Sequence, residues 1–517
     1  MSDRRAGVIL PLFSCPSSRS WGLGEITDVA PMCAWLRAAG LSAWQLLPIN
    51  EMAPGQQSPY SAISAMAIDP MFIHVPSVPD FSALGGEHAL APEDRAALDF
   101  IRRAKHVDYA TIRPLKRKAL RRSFESFLAH EWSTHTERAA ALSDFVNTQA
   151  WWIEDYSLFR AIHAREEERP WSKWPEGLAQ REPAAIDAAR RELVQEVLFY
   201  QYLQWIAAEQ WRAARTQAAG VLLFGDLPFM VDGDSADVWS RQEQFHLDVT
   251  VGAPPDAFSA DGQDWGMPLY RWDVLAREDF QWLRERARRC ADLFDGFRID
   301  HLVGFYRTYA RPCDGSRPYF TPGEEREQLA LGEQVLSVFR EPGARIIAED
   351  LGTVPDFVRE SLARRGVPGL KVLRWERHWH VDGQPFRSPS EYPRQSVAVS
   401  GTHDTETQKT WWEKASDEDR RKVSAAIHGD LDDVPYDRVE QMLIEALFAA
   451  CSDLVLFPIQ DVFGWSDRIN DPALVADSNW VFRLPWPVDR FDEAADARKT
   501  QQRLSMWSRA HGRCGVK

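Results

Sequence analysis

The 517-residue sequence predicts an α/β protein built on a (β/α)8 TIM barrel, with helical insertions forming subdomains around the barrel mouth. Three observations carry this. Eight short apolar runs rich in Val, Ile, Leu and Phe recur along the chain, each ending in polar or Gly residues. Helical patterns separate most of them. No Gly-rich phosphate loop follows any run, which counts against a doubly wound nucleotide-binding sheet. Fully apolar strands alternating with helices mean a parallel sheet covered by helices, and eight units favour closure into a barrel.

The first run is "GVILPLF" (7–13) and the second "SAWQLLPI" (42–49). Between them Val29, Met32, Cys33 and Leu36 recur at helical spacing, and Gly40 closes the pattern. The later runs are "GVLLFGDLPFMV" (220–231), "GFRIDH" (296–301), "ARIIAEDLG" (344–352), "GLKVLRWE" (369–376), "SVAVSGTHD" (396–404) and "DLVLFPIQDVFG" (453–464). Helical stretches precede the fourth, fifth, sixth and eighth runs. Two regions interrupt the repeat. Residues 80–195 read as a mostly helical insertion subdomain between strands two and three. Residues 232–268, rich in Gly, Pro and Asp, read as a long active-site loop after strand three, on the rim where barrel enzymes place their chemistry. Residues 1–517 otherwise read as one catalytic barrel unit.

Composition narrows the function. A net charge of −15 disfavours a nucleic-acid partner. The six cysteines form no C-x-x-C pair, as expected of reduced thiols in a cytoplasmic protein rather than zinc ligands. The N-terminus lacks the pattern of a signal peptide, and no run reaches the ~18 apolar residues of a membrane span. No membrane partner, metal or cofactor is therefore expected. The 22 Trp residues bring in carbohydrate, because indole faces stack on sugar rings as well as packing in cores.

The strand ends bring in chemistry. In "GFRIDH", Arg298 and Asp300 share one face of a strand while Phe297 and Ile299 share the other. Taken alone, Arg298 and Asp300 could be a buried ion pair. But strand three carries Asp226, strand five ends in Glu349 and Asp350, and strand seven ends in His403 and Asp404. Four strands thus send carboxylates to one rim, where mutual repulsion costs folding energy. A reaction that develops positive charge uses such a cluster, and glycosidic cleavage is one. The fixed charge of Arg298 should keep Asp300 ionised, as a nucleophile requires. The apolar "RIIA" before Glu349 should raise its pKa, as a general acid/base requires. His301, His403 and Asp404 would bind sugar hydroxyls.

These segments carry a resemblance. "GFRIDH", "IIAEDLG" and "SGTHDTET" resemble the catalytic segments of the 4-alpha-glucanotransferases (amylomaltases, or disproportionating enzymes), glycoside hydrolase family 77 of the alpha-amylase clan. It continues in "GVILPLFSCPSSRSWGLGE", "WQLLPIN", "SPYSAISAMAIDP", "GDLPFMVDGDSADVW", "GAPPDAFSADGQDWGMPLYRW" and "NWVFRLP", in order along nearly the whole chain. The resemblance implies Asp300 as nucleophile, Glu349 as acid/base and Asp404 as transition-state stabiliser. It implies Arg298, His301, His403 and Asp226 in the donor subsite, with Tyr60 and Trp265 against glucosyl rings. The chain departs from the family pattern at Met66, Ile68 and Asp69 ("SAMAIDP" for "SAFAGNP"), at Thr405 (for Asn), at "RINDPAL" (for "RMNVPGT") and at "PGQQ" before "SPY", where an aromatic often stands.

The implied function is transfer of an α-1,4-glucan segment to the 4-hydroxyl of glucose or a maltooligosaccharide, by a retaining double displacement. These sugars and α-glucans are the expected partners, and residues 251–268 are expected to close over the site against water. An amylase-type hydrolase would use the same carboxylates with water as acceptor. A non-catalytic glucan-binding barrel would be expected to have lost at least one of them, and all three are present.

Overall fold

The computed structural model describes residues 4–255, 262–431 and 434–514. Twelve strands run through them: β1 (Arg5–Ile9), β2 (Ala43–Gln45), β3 (Leu222–Leu227), β4 (Phe245–Ala253), β5 (Gln263–Tyr270), β6 (Gly296–Ile299), β7 (Thr308–Pro312), β8 (Tyr319–Thr321), β9 (Arg345–Ala348), β10 (Gly369–Val372), β11 (Ser396–Val399) and β12 (Leu454–Pro458). Eight of them close a parallel barrel in the order β1-β12-β11-β10-β9-β6-β3-β2. Seven of these lie within the apolar runs read from the sequence, and β1 begins two residues before the first run. The expected helices are also present, at Val29–Ala38, Gln281–Leu293, Glu325–Arg340, Asp356–Arg365 and Tyr436–Phe448. Gly40 and Gly366 follow two of them with φ of 71° each, the left-handed geometry that ends a helix without steric cost.

Strand alternation sorts the core into two layers. Ile9, Phe224, Ile347, Leu370, Val397, Val399 and Leu456 fill the barrel interior. Phe297 and Ile299 belong instead to the larger cluster between barrel and helices. Arg298, between them, therefore faces the interior, as its alternation with Phe297 and Ile299 requires.

Residues 79–217 are dominated by helices, the longest spanning Val194–Gln217. A fully buried ion pair ties this region to the loop after β1: Lys116 Nζ lies 2.5 Å from Glu25 Oε1 and also donates to the carbonyls of Met71 and Ile73.

The stretch 232–268 differs from a loop. It contains a short helix (Ala236–Ser240), β4 and the start of β5, and joins a four-stranded antiparallel sheet in the order β5-β4-β7-β8. The reason is visible in "DVTV", where Val249 and Val251 are buried in alternation with the more exposed Asp248 and Thr250. Gly and Pro at the strand margins mask that period. Residues 256–261 of the expected closing segment lie outside the described residues.

Gly296 shows how tightly β6 is seated. A Cβ there would lie 2.6 Å from the Phe224 ring and 2.7 Å from the Arg345 carbonyl oxygen. Backbone cannot withdraw as a side chain can. Gly296→Ala is therefore expected to cost about 1–3 kcal/mol by overpacking and to displace the strand that carries Arg298. Thermal unfolding should show the loss; an unchanged melting temperature would mean that β6 moves freely.

Candidate active site

The site is assembled at the C-terminal ends of four barrel strands. β3 delivers Asp226, paired in register with Arg298 of β6. Asp300 and His301 follow β6, and Glu349 follows β9. His403 and Asp404 lie beyond the end of β11, in a turn rather than on the strand. Thr405 closes that turn: its hydroxyl accepts from the Thr402 amide at 3.0 Å and donates to the Thr402 carbonyl at 3.1 Å. The departure from Asn at this position thus has a local role in presenting His403 and Asp404.

Arg298 is the hub. Its Nη1 lies 2.7 and 2.6 Å from the two oxygens of Asp226. Its Nη2 lies 2.9 Å from Asp300 Oδ1 and 2.9 Å from Glu349 Oε2. Both oxygens are thus within twice 2.9 Å of each other. A retaining glycosidase holds its two carboxyls ~5–5.5 Å apart, an inverting one ~6.5–9.5 Å apart. The Asp226 side chain is 0% exposed, whereas Asp300, Glu349 and Asp404 keep 26, 20 and 39% of theirs open to the mouth. Asp226 is therefore closed off from a ligand, and the other three are reachable.

Asp226 also accepts from the Tyr60 hydroxyl at 2.7 Å. Tyr60 Oη lies 2.9 Å from His403 Nε2, and the two rings stack at 5.5 Å. His403 Nε2 in turn lies 3.1 Å from Asp404 Oδ2. Two residues not singled out from the sequence complete this wall. Asn470 donates its amide to Asp404 Oδ1 at 2.6 Å. Trp480, with φ of 66°, packs on both Tyr60 and His403. Both lie in or beside "RINDPAL" and "NWVFRLP", so their segments were noticed but not the contacts. Asp350, next to Glu349, is not part of the site; it accepts from the Leu370 amide and pins β9 to β10.

On the opposite wall His301 takes the left-handed conformation, with φ of 43°. That bend aims its backbone N–H at Glu349 Oε2, 2.7 Å away. Burial lowers the pKa of the His301 imidazole, favouring the neutral ring. Trp265 stands on strand β5, not on a free loop. Its half-buried indole meets the His301 ring edge-on at 4.9 Å and Phe229 at 5.9 Å.

The charge states reverse the sequence expectation. Burial, reinforced by the Glu349, Asp226 and Asp404 charges, raises Asp300 well above the carboxylate range despite Arg298. Burial also opposes ionisation of Glu349, but Arg298 and the His301 N–H together bring its pKa below the usual value. The reason is that Arg298 is shared among three carboxylates, while Glu349, unlike Asp300, gains a backbone N–H as a second donor. Asp300 and Glu349 hydrogen-bond each other and titrate as a pair that shares one proton. Asp404 is different. Burial works against its charge, yet His403 and Asn470 hold it at about 2.

The comparisons meet this geometry. The family model for 4-alpha-glucanotransferase matches residues 10–489. The chain belongs to the 4-alpha-glucanotransferase family, glycoside hydrolase family 77. Among relatives in this family, a 4-alpha-glucanotransferase of Thermus thermophilus is 33% identical over 504 residues, covering 93% of this chain and 95% of its own. One from Chlamydia pneumoniae is 30% identical over 495 residues, covering 92% and 91%. The amylomaltase from Streptococcus agalactiae, solved in complex with acarbose, superposes with a TM-score of 0.85 at 26% identity, covering 99% of this chain and 100% of its own.

The Asn470 contact has a measurable consequence. Asp404 ionises more readily folded than unfolded, so its contribution to stability is present above about pH 4 and is lost as pH falls toward 2. Asn470→Ala removes a donor to the charged form. Its melting-temperature deficit against the native protein should be largest above about pH 4 and shrink toward pH 3. A deficit independent of pH would mean that Asn470 acts by packing alone.

Proposed function

We propose that this site moves an α-1,4-glucan segment from a maltooligosaccharide or α-glucan donor to the 4-hydroxyl of glucose or another maltooligosaccharide, with retention at the anomeric carbon. The observation that supports the reading is the sharing of Arg298 Nη2 by Asp300 and Glu349, which keeps those two oxygens closer than the inverting range allows. Membership in the family supports the substrate class.

In the first step the Asp300 carboxylate attacks the anomeric carbon. Glu349 gives its proton to the departing glycosidic oxygen, and a glycosyl ester forms on Asp300. In the second step the acceptor 4-hydroxyl attacks that carbon, its proton passes to Glu349, and Asp300 leaves. Asp404, charged at all ordinary pH values, stabilises positive charge on the ring. The resting pair shares one proton, as the reaction requires, and that proton must stand on Glu349 when the leaving oxygen departs. Donor binding thus has to place that proton within the pair and need not exchange one with solvent. A glycosidic oxygen brought against Glu349 can only accept a hydrogen bond, so it is repelled by the carboxylate and favours the state with the proton on Glu349. Asp226 acts behind this layer, orienting Arg298 and Tyr60. Tyr60 and His301 contact sugar hydroxyls or rings, His403, 1% exposed, acts from behind them by holding Asp404 and Tyr60, and Trp265 shields the ester from water on the acceptor side. The unpaired state of all six cysteines supports a cytoplasmic setting.

Asp300→Asn should lower maltotriose disproportionation by more than about 10³-fold with little change in melting temperature. A variant keeping a tenth of native transfer would remove Asp300 from the nucleophile role, and an initial β-anomeric product by NMR would overturn retention. Trp265→Ala should raise the ratio of free glucose to oligosaccharide ladder several-fold. An unchanged ratio with a collapsed melting temperature would make Trp265 a structural residue.

A further inference from the structure

A groove of about 710 Å3 lies on the outer flank of the barrel, away from the mouth. The helix Val194–Gln217, which leads to β3, and the helix Gln281–Leu293, which leads to β6, form two of its walls; the helix Glu137–Thr148 forms a third. Trp205 and Trp211 line it. Its charges are the unusual feature.

Arg289 is 6% exposed, yet it makes no ion pair among the described residues. Its Nε donates to the Met66 carbonyl at 2.7 Å, and its guanidinium lies 4.9 Å from the Trp152 ring. The terminal nitrogens are left for the groove. Burial pushes its pKa down to about 10, and the Asp292 carboxylate, which also lines the groove, offsets only part of that cost without forming an ion pair with it. Arg288, 4.9 Å over Trp151, and Arg212 also line the groove without ion pairs among the described residues. By contrast, the cavity of about 280 Å3 beneath residues 51–55 has three of its four cations ion-paired, Arg160 with Glu51, Lys116 with Glu25 and Arg117 with Glu168, while Arg113 donates to the Gln56 carbonyl.

We propose that this groove is a binding site for a phosphate monoester of a sugar, separate from the catalytic mouth. Arg288, Arg289 and Arg212 would hold the phosphate oxygens, because guanidinium forks match phosphate geometry and are less strongly hydrated than ammonium. A neutral glucan offers these cations nothing they lack in water. A bare anion leaves the rest of the lining unused: Asp144, Thr148, Gln149 and Glu209 supply acceptors and donors suited to hydroxyls. Burial raises the Glu209 carboxyl, which weakens its repulsion of a phosphate.

Calorimetric titration at physiological salt tests this, with glucose 1-phosphate, inorganic phosphate and glucose as probes. The native protein should bind glucose 1-phosphate with a Kd below about 1 mM. The double variant R212A/R288A, at exposed positions, should bind it at least about tenfold more weakly. Inorganic phosphate should bind the native groove at least about tenfold more weakly than the ester. The double variant should disproportionate maltotriose at the native rate without ligand, which keeps this test apart from the catalytic reading. R289Q is a second probe of the buried cation, and the surface double variant carries the test if that chain fails to fold. Equal binding by native protein and double variant would put the ester at the barrel mouth and overturn the proposal. So would inorganic phosphate binding as tightly as the ester.

Discussion

One guanidinium governs the mouth of this barrel. Arg298 contacts Asp226, Asp300 and Glu349 from a position 2% exposed, so three acids depend on a single positive charge. Burying that many carboxylates together is affordable only if one of them keeps its proton. The pair of Asp300 and Glu349 meets this condition by sharing one. The shortage of positive charge is thus what leaves a shared proton between these two neighbouring acids. A second cation in the same place would ionise both acids. Asp226, wholly buried, accepts from Nη1 with both its oxygens and so fixes the fork's direction, leaving Nη2 to the two reachable acids.

The walls around this hub are organised to divide the carboxylates into different states. Glu349 gains the His301 N–H because the chain bends into the left-handed region at that residue, a conformation that Trp265 and Phe229 stabilise by packing on the imidazole. Asp404 gains His403 and Asn470, and His403 is held by the stack with Tyr60 and Trp480. Each acid therefore has its own set of partners, drawn from segments far apart in sequence, and the separation of their pKa values follows from those sets.

The barrel itself was legible because its strands are buried on both faces and read as continuous apolar runs. The rim carboxylates were legible because a charged residue at the end of such a run is conspicuous. The direction of the charge shifts was not. Sequence places Arg298 two residues from Asp300 and suggests a private pair, but only the fold reveals that Nη2 also reaches Glu349. The His301 donor depends on a backbone angle that composition does not encode. Asn470 sits 66 residues from Asp404, and no local pattern links the two. The strands β4 and β5 were hidden by flanking Gly and Pro, although the alternation through Val249 and Val251 was available.

The barrel joins its first strand to its last, β1 to β12, and its second to its third across an insertion that separates Gln45 from Leu222. On the ribosome these pairings are out of reach for most of translation. At ~5–20 residues per second, β1 waits roughly 20–90 s for β12 to be made, with its hydrogen-bonding edge open meanwhile. The helical insertion emerges early in that interval, and Lys116 within it can engage Glu25 long before the barrel closes. The buried ion pair can thus dock the new helices over the β1 loop and shelter an unfinished sheet from neighbouring chains.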